Sequence, residues 1–200
     1  MTHISITGGY DKKLPWIKKI VSSLQKLFVC APKKISVIVA PDRNRMETML
    51  HRSLMSWEVA VTKQQTIFIL DPLTANHPGI TSHNFNTLLH HELVHVFYNT
   101  LIPEGVPYWL NEGLAYNLAR QKFKTFSSVN IAMQALKYYA RFDPALYRYG
   151  PAMSALLIQY NSLPLLIKKL TIFSRASHRP REFQKIFLDL FKKLPTDLRP

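Results

Sequence analysis

Leu88-Leu89-His90-His91-Glu92-Leu93-Val94-His95-Val96-Phe97 is the stretch whose reading decides the fold, together with Trp109-Leu110-Asn111-Glu112-Gly113-Leu114-Ala115 just after it. Its core is His91-Glu92-Leu93-Val94-His95. On an α-helix, positions i and i+4 share one face, so both imidazoles can point at one ion. The flanking Leu88, Leu89, Leu93, Val94, Val96 and Phe97 make the helix apolar nearly all round, which predicts burial. Burying two histidines and a glutamate without partners is costly, and a metal ion is the simplest partner. Glu112 follows at the start of the next expected helix, after a break at Pro103, Gly105 and Pro107. Two antiparallel helices joined by such a turn would set Glu112 opposite the histidine pair. Two histidines and one carboxylate leave the fourth position of a zinc ion open, as catalytic sites require. Glu92, beside the ion without binding it, is then placed to take a proton from water.

Working outward, Leu14, Ile17, Ile20, Val21, Leu24, Leu27 and Phe28 recur at helical spacing, which predicts a helix over 14–29 with Pro15 in its first turn. Ile35 to Val39 alternates as a strand does and ends at Pro41-Asp42. A short helix is expected over 43–54. Trp57 to Val61 and Thr66 to Leu70 read as strands joined by a hairpin loop of Thr62 to Gln65. Asn84 or Asn86 is placed to cap the site helix, expected over about 84–99, and the glutamate helix is expected over about 107–121. From Val129 onward three or four further helices are expected, divided at Asp143-Pro144, at Asn161 to Pro164 and at Ser174 to Pro180. Strands first and helices after give an α+β domain. The reading is one domain over 1–200, with an N-terminal helix and sheet (1–80), metal-site helices (81–125) and a helical C-terminal part (126–200).

The charge is uneven. Lys and Arg number 26 against 12 Asp and Glu, for a net +14. No Lys or Arg occurs from Gln64 to Ala119, where four acids fall: Asp71, Glu92, Glu104 and Glu112. A basic shell around an acidic centre tolerates a cation. It also attracts an anionic partner, either nucleic acid or an acidic membrane surface. The single cysteine, Cys30, excludes Cys-rich zinc modules and an internal disulfide. The first residues show no secretory signal, and the longest apolar stretch, Ala152 to Ile167, is interrupted by Gln159, Asn161 and Pro164. A cytoplasmic protein of a reducing compartment is the expectation.

The pair His-Glu-x-x-His and Trp-Leu-Asn-Glu-Gly-Leu-Ala resembles the gluzincin metallopeptidases, closest to the small peptidase MA-like domains. The similarity spans roughly residues 57 to 160 and is sharpest over 88–119. It implies a zincin-like α+β fold with a small N-terminal mixed sheet and a helical C-terminal half. It implies one Zn2+ held by His91, His95 and Glu112, with Glu92 as general base on a peptide or protein substrate. It also implies an oxyanion-donating tyrosine in a Tyr-x-x-Gly segment before an apolar helix. Tyr147-Arg148-Tyr149-Gly150 fits, with Tyr147 in that role and Tyr149 as the alternative. Such families carry an outer hairpin strand along the cleft, and Trp57 to Val61 stands in that place. No Gly-x-Met-Glu-Asn segment is present, so the resemblance points to an endopeptidase rather than an aminopeptidase. Four residues after the third ligand, where thermolysin-like enzymes carry an acid, this chain has Tyr116. A second class stands beside this one: a basic module binding nucleic acid or a membrane surface, its zinc motif degenerate or structural.

The remaining candidates read as structural. His90 sits about 100° around the helix from His91 and reads as a packed or rim residue. His77, His83 and Glu104 read as loop residues, Cys30 as a small core residue, and Trp109 as packing under the site. Arg175, Arg179, Arg181 and Lys185 read as a solvated helix face, with contact to phosphate as the alternative.

Overall fold

The computed structural model describes residues 2–102, 107–122, 144–175 and 180–194, the side chains of 144–148 and 180 excepted. It is α+β, with one small mixed sheet and mostly helical content. Two compact units divide the chain, Met1–Thr100 and Leu101–Pro200.

In the first unit a strand over His3–Ile6 (β1) leads through helix α1 (Leu14–Phe28) to β2 (Lys34–Ala40), which pairs parallel with β1. This is a βαβ unit, whose crossover helix must bury one face. Ile17, Val21, Leu24 and Phe28 are that face, and Pro15 stands in the first turn as expected. The strand β1 had no counterpart in the sequence reading. Four residues are too few for a period of two to stand out, and β1 exists through its pairing with β2. Gly8 then turns the chain at φ 81°, where a Cβ would meet Val39 at 2.9 Å.

Helix α2 (Arg43–Leu50) starts at Asp42, whose carboxylate accepts from the Arg45 amide at 2.8 Å. It ends at His51 in the left-handed region (φ 54°), short of the expected residue 54. The hairpin follows with a correction. Its outer strand β3 is Ala60–Lys63, not Trp57 to Val61, and β4 is Thr66–Leu70. Lys63 pairs with Thr66, so only Gln64 and Gln65 form the turn, and Gln64 takes the positive φ (57°) that a tight hairpin demands. Thr62 therefore belongs to the strand. The sheet order is β1-β2-β4-β3, with β3 antiparallel at one edge.

The loop before β3 is fastened by Glu58. Its carboxylate takes two hydrogen bonds from Arg52 (2.9 and 2.7 Å) and one from the Met55 amide (2.7 Å). That paired guanidinium holds the Glu58 carboxyl below the usual carboxylate range.

Helix α3 (Phe85–Leu101) is the site helix. Neither Asn84 nor Asn86 caps it in the expected way. Thr81 and Asn84 form a reciprocal capping box instead: the Thr81 amide donates to Asn84 Oδ1 (2.7 Å) and the Asn84 amide to Thr81 Oγ1 (3.3 Å). Phe85 stacks on Tyr10 with ring centroids 5.0 Å apart, and Phe97 packs on Phe28 of α1 at 5.9 Å. Tyr10 also donates to Asp71 at 2.7 Å; burial and that carboxylate push its phenol up to about 12.

In the second unit, α4 (Tyr108–Leu118) begins after Pro107 and ends at Ala119 and Arg120, the latter left-handed at φ 56°. It is therefore shorter than the expected 107–121. Three further helices are described: α5 (Pro144–Asn161), α6 (Leu163–Ser174) and α7 (Pro180–Phe191). Their breaks fall where Asn161 to Pro164 and Ser174 to Pro180 place them, and Ser162 at φ 72° makes the first. The expected helical stretch from Val129 to Asp143 lies outside the described residues. An aromatic cluster of Phe173, Phe183, Phe187 and Phe191 fills this unit, all four essentially inaccessible. Among the described residues no helix is long and apolar enough to cross a membrane.

Candidate metal centre

Helix α3 carries the candidate metal-site residues on a buried surface. Leu89, Leu93, Val94, Val96, Phe97 and Tyr98 are fully inaccessible, so the all-round apolar pattern does correspond to a core helix. Within that core, His91 and Glu92 are only 7% exposed, and His95 is half-buried.

The two imidazoles converge. His91 Nε2 and His95 Nε2 lie 3.0 Å apart, with the rings edge to face. Two neutral imidazole lone pairs do not face each other across 3.0 Å without a proton or a cation between them. Nitrogens that share one tetrahedral zinc ion stand about 3.3 Å apart. A separation of 3.0 Å suits an N–H···N hydrogen bond between the two rings, and it also brings together two nitrogens that could serve one ion. His91, Glu92 and His95 each offer an atom within 4.8 Å of the other two, the group among the described residues that could hold a metal.

Glu92 has a partner that the sequence reading did not identify. Thr62 Oγ1 lies 2.7 Å from Glu92 Oε2 and 3.1 Å from the Glu92 backbone carbonyl. A hydroxyl has one proton, and the charged carboxylate at the shorter distance takes the larger share. The hairpin boundary explains why Thr62 escaped notice. Placed in a loop, it had no reason to face α3; placed in β3, it does.

Glu112 lies on α4 in the second unit and is 7% exposed, beside Asn111 at 8%. Its charge, together with burial, raises the Tyr116 phenol above its usual range, burial being the larger cause. Tyr116, one turn after Glu112, thus presents a neutral phenol within the field of that carboxylate.

The segment around Glu112 is set by glycine. A Cβ on Gly113 would collide with the Gly150 carbonyl and Ser154 Oγ, and a Cβ on Gly150 would collide with the Trp109 carbonyl. Helices α4 and α5 therefore touch backbone to backbone. Asn117 fastens the crossing, its amide reaching the Gly113 carbonyl (2.8 Å), the Pro151 carbonyl (2.9 Å) and Ser154 Oγ (2.8 Å). Glycine in Asn-Glu-Gly-Leu-Ala and in Tyr-x-x-Gly was legible as a motif. Its physical reason is this contact.

Tyr147 is one turn before Gly150 on α5, and its side chain lies outside the described residues. Tyr149 is half-buried on the same helix. Among the residues read as structural, His90 meets Trp16 edge to face at 6.5 Å. His77 accepts from the Gly79 amide through Nδ1 (3.0 Å) and bonds the Ser56 carbonyl through Nε2 (2.9 Å). His83 is exposed. Cys30 is half-buried, its thiol pushed up by burial to about 11. Trp109 is 2% exposed and packs edge-on against Phe183 and Phe191, in the aromatic cluster of its own unit. Arg175, Arg181 and Lys185 are exposed; Glu104 and Arg179 lie outside the described residues.

Compared with models of protein families, with curated proteins and with solved structures, the chain gave no match.

Proposed function

We propose that this chain is a zinc-dependent metallopeptidase of the gluzincin type, acting as an endopeptidase on peptide or protein substrates. One observation carries the reading: the 3.0 Å convergence of His91 Nε2 and His95 Nε2 on a buried helix, with Glu92 beside them and bonded by Thr62. The resemblance of His-Glu-x-x-His and Trp-Leu-Asn-Glu-Gly-Leu-Ala to the gluzincins supports it, and so does the α+β architecture.

His91, His95 and the buried Glu112 are the residues that would hold the ion, two neutral nitrogens and one carboxylate suiting zinc. When bound, zinc supplies Lewis acidity that polarises a carbonyl and acidifies water. Glu92 takes the proton from water as the carbonyl carbon is attacked. It then gives that proton to the leaving amine nitrogen, so the C–N bond breaks and both products leave neutral at the reacting atoms. Thr62 keeps the carboxylate turned to one rotamer through this exchange. Tyr147, or Tyr149 in its place, donates to the developing oxyanion. The lone Cys30 suits a cytoplasmic setting.

The intact Glu92 favours catalysis over a purely structural ion, because a structural site has no use for a base. Elemental mass spectrometry of the purified protein, beside His91→Ala and Glu112→Ala, tests the ligand set. About one zinc per chain, lost in both variants, is the expected result. A protein that takes up no zinc when zinc is supplied overturns the reading.

A further inference from the structure

Residues 12–41 hold seven lysines and no Asp or Glu. Lys12, Lys18, Lys19, Lys26, Lys33 and Lys34 are exposed and Lys13 is half-buried. Among the described residues, ion pairs form at Arg43, Arg52 and Lys169, and none involves these seven lysines. Lys19 and Lys26, seven residues apart, lie on one side of α1, and Lys12 and Lys13 stand in the short 3-10 turn Asp11–Lys13 that leads into the helix. The opposite side of α1 is the buried face of Ile17, Val21, Leu24 and Phe28. The helix is thus divided between core and the exposed cations Lys18, Lys19 and Lys26, with Lys12 just before it.

At the end of the helix stands Val29. It caps α1 in the left-handed region at φ 51° and is 81% exposed. Glycine or asparagine ordinarily fills that position, and a β-branched residue there is an outlier. Its effect is to hold an apolar side chain in water between Lys26 and the Lys33-Lys34 pair.

The geometry points to this face as a docking surface for an anionic lipid bilayer. Two features favour a lipid surface over nucleic acid. All the cations are lysine, with no arginine before Arg43, so they offer compact charges and no planar forks for fixed phosphates. The one large apolar group, Val29, is aliphatic; no exposed aromatic ring offers a base a stacking platform on this segment. Lysine stems lie along the interface while their ammonium groups meet headgroups, and Val29 enters the acyl boundary. The surface is independent of the metal centre, and it recruits the protein to membrane-held substrates if the proposed activity holds.

The test is co-sedimentation of the full chain with sucrose-loaded vesicles of phosphatidylcholine, with and without about 30% phosphatidylserine. Binding is expected only to the anionic vesicles, weakening as salt rises from about 50 to 300 mM. Each lysine near such a surface contributes roughly fivefold, so Lys18→Gln with Lys19→Gln and Lys26→Gln lowers the partition constant on the order of 100-fold. Lys168→Gln with Lys192→Gln and Lys193→Gln, exposed cations of the second unit, leaves it unchanged. Equal binding to both vesicle types by the unaltered protein overturns the proposal without recourse to any variant. So does an undiminished partition in the α1 variant. Binding to duplex DNA that is tighter than to the anionic vesicles, and lost in the α1 variant, reassigns the face to nucleic acid.

Discussion

Thr62→Val removes one hydroxyl from a side chain of nearly unchanged shape, and the structure says what that hydroxyl does. It sits 2.7 Å from Glu92 Oε2, a distance typical of a bond to an ionised oxygen. Bonds to charged groups contribute about 1.5–3 kcal/mol, and Thr62 is half-buried, which places this one toward the lower end. A loss of about 1.4–2 kcal/mol in the transition state is a fall of roughly 10- to 30-fold in kcat. On the proposed mechanism the fall should appear in kcat, with KM little changed, because there the bond orients the base and does not touch substrate. Zinc content should stay at the unaltered level. The assay is steady-state hydrolysis of a fluorescently labelled unfolded protein, with Thr62→Ser measured beside Thr62→Val. Serine restores the hydroxyl and should return most of the rate. A valine variant as fast as the parent refutes the assignment. So does a serine variant as slow as valine, which would mean that the methyl group and strand packing matter and the hydrogen bond does not.

Glu92→Gln should retain zinc and lose hydrolysis by about 10²- to 10⁴-fold, the usual contribution of a general base; measurable zinc with full activity would remove Glu92 from that role. Gly113→Ala should destabilise the protein by several kcal/mol in urea titration, since the added methyl meets the Gly150 carbonyl, a backbone atom that cannot rotate away. A normal urea midpoint would show that α4 and α5 are not in backbone contact. Glu58→Gln should cost about 0.5–1 kcal/mol near neutral pH, a modest figure because Arg52 is 44% exposed. The Glu58 carboxyl is lowered in the folded state, so its stabilisation is fully present above the unfolded carboxylate range and is lost as pH falls through the lowered value. The difference in thermal midpoint between parent and variant should therefore vanish on acidification. A difference that persists in acid would contradict the charge-based account.

What the sequence disclosed, and what it hid, divides by the range of the interactions involved. Helix α1 is legible because a periodic apolar face is written into consecutive residues, and α3 because its run is apolar nearly all round and long enough for a buried helix. His91, Glu92 and His95 were legible because their grouping is a property of one helix turn. Thr62 was not, because its role depends on where a hairpin turns, and a Gln64-Gln65 turn gives no glycine or asparagine signal. The strand β1 is defined by pairing with β2, thirty residues away, and no local pattern carries that. Asn117, the clamp of the α4–α5 crossing, carries no signal in the sequence. Its three acceptors come from two helices, so its importance exists only after folding.

The glycine crossing has a mechanical meaning. Where Gly113 and Gly150 meet, α4 and α5 have no Cβ between them and so no rotamers there to absorb a small displacement. They move as one piece. A shift in α5 is passed directly to the backbone of α4 at Gly113, the residue next to Glu112. Repacking elsewhere in the unit moves the two backbones together.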